Sequence, residues 1–212
     1  MISQQLSKRE LASDPKAQAA LQKEWGKLKG LTTWMEDTVE EQSAVADRAR
    51  RDGSTVHFGR IFGFAGIKGR ELHKPKRKCK GRVVFQGNQV RDESGLAAVF
   101  SEQASGSSHL QASRPLDIAA RAPGCIGQKA NAVSAYTQAL LYGDGRTTPV
   151  VIWISLPPDQ QPPSWRRYRS PVCRLRLALY GHPLSGVFWE RHCDAKLREE
   201  GWGLIDGWEN LY

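Results

Sequence analysis

Cys173-Arg174-Leu175-Arg176-Leu177-Ala178-Leu179-Tyr180 runs directly into Gly181-His182-Pro183-Leu184-Ser185-Gly186. Leu175, Leu177 and Leu179 recur at every second position, the spacing that lines one face of a strand. Gly and Pro immediately afterwards end that strand and form a turn. From Leu184 the pattern changes to a helical one over residues 184–200, with Trp189, Cys193 and Leu197 on one face and Gly201 as the stop. A strand, a glycine turn and a helix in immediate succession predict an α+β chain, with a mixed sheet and packed helices.

The same reading extends outward in both directions. Residues 150–156 form the clearest buried strand, ended by Pro157-Pro158, and residues 125–128, 83–85 and 56–64 read as further strands. Ser13-Asp14-Pro15 caps a helix over residues 16–29, with Gly30 past its end and Leu21, Trp25 and Leu28 on one face. Residues 36–51 read as a second, more exposed helix closed by Asp52-Gly53. Residues 116–122 read as a third, with Ser113 as cap and Gly124 beyond it. Residues 91–108 are loop-like, and residues 159–169 are a Pro- and Arg-rich excursion. The expected core is a sheet of segments 83–85, 125–128, 150–156 and 172–179, with the 184–200 helix laid across it on its Trp189 stripe.

The chain has 212 residues, 40% of them hydrophobic, and a formal net charge of +9. The excess is concentrated in Lys74, Lys76, Arg77, Lys78, Lys80 and Arg82, and again in Arg166, Arg167, Arg169, Arg174 and Arg176. A polyanion is the natural partner for such clusters, RNA or DNA bound without sequence preference, although a solvated loop or a nuclear-localisation run has the same composition. Cys79, Cys125, Cys173 and Cys193 show no Cys-x-x-Cys or Cys/His zinc spacing, which points to reduced thiols in an intracellular, cytoplasmic or nuclear protein. No apolar signal core or ~20-residue membrane span is expected. Gly-x-Ser-x-Gly, Walker and His-Glu-x-x-His motifs do not occur in the sequence.

Three segments form a pattern: Gly81-Arg82-Val83-Val84-Phe85-Gln86-Gly87-Asn88, then Ala135-Tyr136-Thr137-Gln138, then Leu179-Tyr180-Gly181-His182-Pro183-Leu184-Ser185-Gly186. In order and spacing they resemble the "KxRLVAxGN", "xDVxxAFLxG" and "LYGLxQxPxxW" segments of copia-type retrotransposon reverse transcriptases. The resemblance implies part of a right-hand polymerase. Residues 1–52 would be a helical lead-in, and residues 53–212 the fingers and first half of a palm, truncated before a "YVDD"-type hairpin. It also implies that Lys80 and Arg82 face a triphosphate. Lys76, Arg77, Lys78, Gly181, Ser185, Gly186, Arg166 and Arg167 would lie along nucleic acid.

Matching Ala135-Tyr136 to the family pattern puts Asn131 where the metal-binding Asp belongs, and Leu184 where a Gln is usual. Intact relatives hold Mg²⁺; no cofactor is expected in this chain, and polymerisation is expected to be lost. Trp34, Trp153, Trp165, Trp202 and Trp208 read as core or rim packing rather than base-stacking platforms, with Trp165, beside Arg166 and Arg167, as the one whose neighbours would also suit stacking on a base. His182 and His192 read as surface or satisfied core histidines rather than acid–base groups. The rival to a degenerate polymerase fragment is a non-catalytic basic nucleic-acid-binding module.

Overall fold

The computed structural model describes residues 3–100, 110–127, 131–141, 150–208 and 210–212. Within them lie six strands and five α-helices. The N-terminal strand β1 (Ser3–Gln5) is followed by α1 (Lys8–Ser13), started by a capping box between Ser7 and Glu10. The Asp14 carboxylate then accepts the Lys16 and Ala17 amides at 2.9 and 3.3 Å and caps α2 (Pro15–Gly30). Trp25 and Leu28 of α2 are buried and Leu21 packs beside them, the face expected from their spacing.

Residues 36–41 correct the helical reading of this region. They belong to β2 (Trp34–Glu41), and only then does α3 (Gln42–Asp52) begin, ending at Gly53 with φ of 64°. The acidic residues that suggested a helix surface are used by the strand. Glu40 takes the Arg48 guanidinium through two bonds of 2.7 and 2.8 Å, and Glu41 accepts the Arg169 and Ser170 amides. The lead-in is therefore not helical throughout, since β1 and β2 both join the sheet.

The long strand β3 (Val56–Lys68) organises the rest. It pairs antiparallel with β4 (Lys78–Phe85), from Ile61 opposite Phe85 to Lys68 opposite Lys78. It runs parallel to β5 (Val151–Ser155), and its far end holds β1. Strand β6 (Pro171–Leu175) lies antiparallel between β5 and β2, giving the order β1-β3-β5-β6-β2 with β4 also on β3. The sheet is mixed, as expected.

Alternation along the strands divides the core between two faces. On one, α2 packs Trp25 and Leu28 against Ile61, Val83, Phe85, Ile152, Ile154 and Leu175. On the other, Val45, Ala46 and Ala49 of α3 cover Val56, Phe58, Trp153 and Val172. Farther along β3 that second face is open, and Phe62 is 41% exposed.

Several expectations fail locally. Residues 125–127 form no strand, and Ile126 is 86% exposed, so a short apolar run there found no partner; Gln128 lies outside the described residues. Helix α4 (Leu110–Ala119) starts early enough to put Ser113 inside it rather than at its cap. Residues 91–100 are folded, not loose: Arg91 bridges Phe58 and Ala97, and the Asp92 carboxylate accepts the Ser94 and Leu96 amides at 2.9 Å. Residues 101–108 of that expected loop lie outside the described residues.

Helix α5 (Ser185–Glu199) does not lie across the sheet. It seats on a 3-10 turn, Ala135–Gln138, and its buried residues are Ser185 and Val187, with Phe188 against the core. Trp189, Cys193 and Leu197 are only half-buried. Trp189 packs on His192 of its own helix, and the chain beyond α5 returns so that the Tyr212 hydroxyl donates to Asp194 at 2.8 Å. No helix of the described residues is long and apolar enough to cross a membrane.

Candidate nucleic-acid interface

The three segments of the sequence pattern pack together. The expected strand stops early, β6 ending at Leu175, and the Phe85 amide donates to the Tyr180 carbonyl at 2.7 Å, so the end of β4 meets the irregular segment that precedes the glycine turn. Gly181 adopts φ of +89°, and a Cβ on it would lie 2.1 Å from the Phe85 carbonyl oxygen. A Cβ on Gly87 would lie 2.1 Å from the Gly181 oxygen. The middle segment closes the group: the Tyr136 ring lies 4.4 Å from that of Tyr180, and the Ala178 amide donates to Ala139 at 2.9 Å.

His182 is buried against this junction, its ring edge-on to Phe85 at 4.8 Å. Its Nδ1 accepts the Leu184 amide at 3.2 Å, while Nε2 finds no partner among the described residues. It is thus a core histidine satisfied on one side only. Burial, with a smaller contribution from His57, holds its pKa down at about 3, so it is neutral at physiological pH.

Ser185 was expected to meet nucleic acid, and the structure corrects this. It is 1% exposed, and its hydroxyl is fully occupied, accepting the Leu179 amide at 3.1 Å and donating to the Leu179 carbonyl at 2.6 Å. The glycines beside it differ: Gly181 is exposed at the turn and Gly186 half-buried. Trp165 takes the core reading rather than the stacking one. At 2% exposed it belongs to the core and offers no ring to a base.

Arg166 and Arg167 are exposed on the 3-10 turn Pro163–Arg167, with Arg167 lying 4.9 Å over the Tyr168 ring. Arg174 lies 5.4 Å over Trp153, and the Arg176 guanidinium donates to the Thr32 carbonyl at 2.7 Å, just past α2. Arg167, Arg174 and Arg176 of this cluster are therefore engaged in the fold.

Asn131 is exposed, three residues before Ser134, which has a left-handed backbone (φ of 56°) and whose side-chain hydroxyl accepts a hydrogen bond from the Lys27 ammonium of α2. Asn131 presents an amide oxygen where the family pattern has a carboxylate. An amide side chain is neutral, and among the described residues no three His, Cys, Asp or Glu side chains are grouped to hold a metal ion.

The basic segment forms one arm of an antiparallel ribbon. Lys76 ends a 3-10 turn, Lys74–Lys76, and Arg77 braces the connection by donating to the Leu72 carbonyl at 2.9 Å. Along β4 the exposed Lys78, Lys80 and Arg82 alternate with Cys79, Gly81 and Val83, which turn toward α2. Lys80 and Arg82 therefore leave the ribbon on the face opposite α2, whereas the Asn131–Ser134 turn is tied to α2.

The open face also holds residues not singled out from the sequence: Phe62 and Phe64, with ring centroids 6.2 Å apart, and Arg60 and Lys68 on the same side of β3. Their signal was the alternation of Arg60, Phe62 and Phe64 with Gly59, Gly63 and Ala65. No protein-family model, no curated protein and no solved structure matches the chain.

Proposed function

We propose that this chain derives from the fingers and first half of the palm of a copia-type reverse transcriptase, and that it binds RNA or DNA through its basic surface without polymerising nucleotides. The observation that carries the reading is the packing of the Phe85–Gly87, Tyr136 and Tyr180–His182 segments into one junction. These segments are far apart in the chain, and the family pattern requires them around a single site.

Polymerisation in that family is phosphoryl transfer assisted by two Mg²⁺ ions on carboxylates, which offset the charge developing on the attacking and leaving oxygens. Asn131 brings no charge to this task, and the sequence contains no Asp-Asp dipeptide. Loss of such a carboxylate costs several kcal/mol of transition-state stabilisation, a factor of ~10³ or more in rate. What remains is the cationic surface, for which phosphates are the matching ligand.

Primer extension on RNA and DNA templates with Mg²⁺ or Mn²⁺ tests the first half of this reading. The expected result is no product from the protein or its Asn131→Asp variant, and extension by either overturns it. Binding to a duplex tests the second half. With roughly five phosphates contacted, the log–log slope of affinity against salt should be about −4. Binding indifferent to salt would remove the electrostatic argument.

A further inference from the structure

The β3–β4 ribbon has two unlike faces. The face toward α2 is lined by small and apolar residues, among them Gly63, Ala65, Gly81 and Val83. The opposite face carries two phenylalanines at its centre. Phe62 is 41% exposed and Phe64 partly so, although burying a ring is worth more than exposing it.

Cations surround the rings. Arg82 stands directly opposite Phe64, Lys78 opposite Lys68, and Lys80 between them on the same side. Neither strand contains an acidic residue. Among the described residues none of these cations, nor Arg60, forms an ion pair. A neutral or apolar occupant would leave at least four cations on this face uncompensated. A duplex would satisfy the charges but not the rings, because its base faces are already stacked inside the helix. A single strand satisfies both: its bases are free to stack on aromatic rings presented by a sheet, and its phosphates lie outside them.

Building on the nucleic-acid reading above, we propose that this face is a platform for single-stranded RNA or DNA, with bases stacked on Phe62 and Phe64 and phosphates held by the flanking lysines and arginines. The side chains of Lys78, Lys80 and Arg82 repeat about every 7 Å along β4, as alternate residues of a strand do. They form a rail beside the rings rather than a clamp around a groove.

Fluorescence anisotropy with a labelled oligouridylate, a labelled oligothymidylate and a duplex of the same length separates the cases, using the full chain at one salt concentration. The protein is expected to prefer the single strands by about tenfold or more. The double variant Phe62→Ala/Phe64→Ala, which removes both stacking contacts, should lose about 30-fold or more on the single strands. On the duplex it should lose less than about twofold, while Phe62→Trp/Phe64→Trp should retain single-strand binding. Lys78→Ala/Lys80→Ala/Arg82→Ala should weaken both ligands.

Equal affinity for single strand and duplex, or equal losses on both in the Phe double variant, would overturn the platform while leaving the nucleic-acid reading intact. No binding to either nucleic acid would sink that reading as well. Tighter binding to phosphatidylserine vesicles than to oligonucleotide would assign the face to a membrane surface and also overturn the proposal.

Discussion

Gly181 approaches Phe85 so closely that a Cβ on the glycine would lie 2.1 Å from the phenylalanine carbonyl oxygen, backbone against backbone. Nothing in the pair can yield by rotating a side chain. The segment ahead of the turn and the end of β4 are locked together at this point, and Gly181 also has φ of +89°, which disfavours any side chain. Gly181→Ala should therefore cost about 2–4 kcal/mol, combining left-handed strain with overpacking. Urea denaturation measures it, and a loss below about 1 kcal/mol would mean that the junction relaxes freely.

Ser185 offers a second test of the same junction. Removing its hydroxyl leaves the buried Leu179 amide without its partner at 3.1 Å. Ser185→Ala should destabilise the protein by about 1–3 kcal/mol. Duplex binding by the folded variant should remain unchanged, which would separate a structural serine from one that meets nucleic acid.

The two tryptophans of the helices should behave differently. Trp25 is buried between α2 and the sheet, edge-on to Trp34 at 5.9 Å, and Trp25→Ala should cost about 3–5 kcal/mol. Trp189, half-buried on α5, should cost less than about 2 kcal/mol on the same substitution. Thermal unfolding of the two variants side by side decides it, and a larger loss at Trp189 would put α5 in the core after all.

Acid should destabilise the fold through His182. Its folded pKa is about 3, below the usual value, so the unfolded chain binds the extra proton first as pH falls. The stability associated with keeping it neutral is intact above about pH 6.5 and is lost from there down toward pH 3, at up to about 1.4 kcal/mol per pH unit. His57 is shifted in the same direction, with burial again the largest cause and the nearby Asp92 and Glu93 opposing it. Denaturation of His182→Phe across pH 4–7 should show a shallower loss than the parent protein. Parallel curves would exclude His182 as the source.

Much of the fold could be read along the chain where local periodicity and burial agree. Helix α2 was recognisable because Asp14, Leu21, Trp25 and Leu28 each do what their spacing suggests. Strand β2 was not, because among the described residues it pairs with β6 alone, carries a bulge between Met35 and Glu40, and spends Glu40 and Glu41 on an arginine and on amides outside the strand. Cys125-Ile126-Gly127 misled in the opposite sense: a brief apolar run was read as buried without a neighbour to bury it. In the candidate site the cations of β4 were visible as a basic run. The importance of Phe62 and Phe64 depends on their pairing across the ribbon with Val84 and Arg82, a contact between strands that neither segment announces alone.

The glycines of the ribbon make it intolerant of a change in length. A Cβ on Gly81 would strike the Ala20 carbonyl at 2.4 Å, and one on Gly63 the Leu21 and Trp25 side chains at 2.8 Å, so α2 can approach only where these residues face it. One residue inserted or deleted between the middle of β3 and the middle of β4 would have to be absorbed in the connecting loop. If it were carried into the pairing instead, side chains of the shifted strand would exchange faces. Arg82 or Phe64 would then be driven against α2, and the glycines would turn to solvent. Natural variation in this region should therefore be confined to the loop between the strands, with the two arms changing by substitution alone.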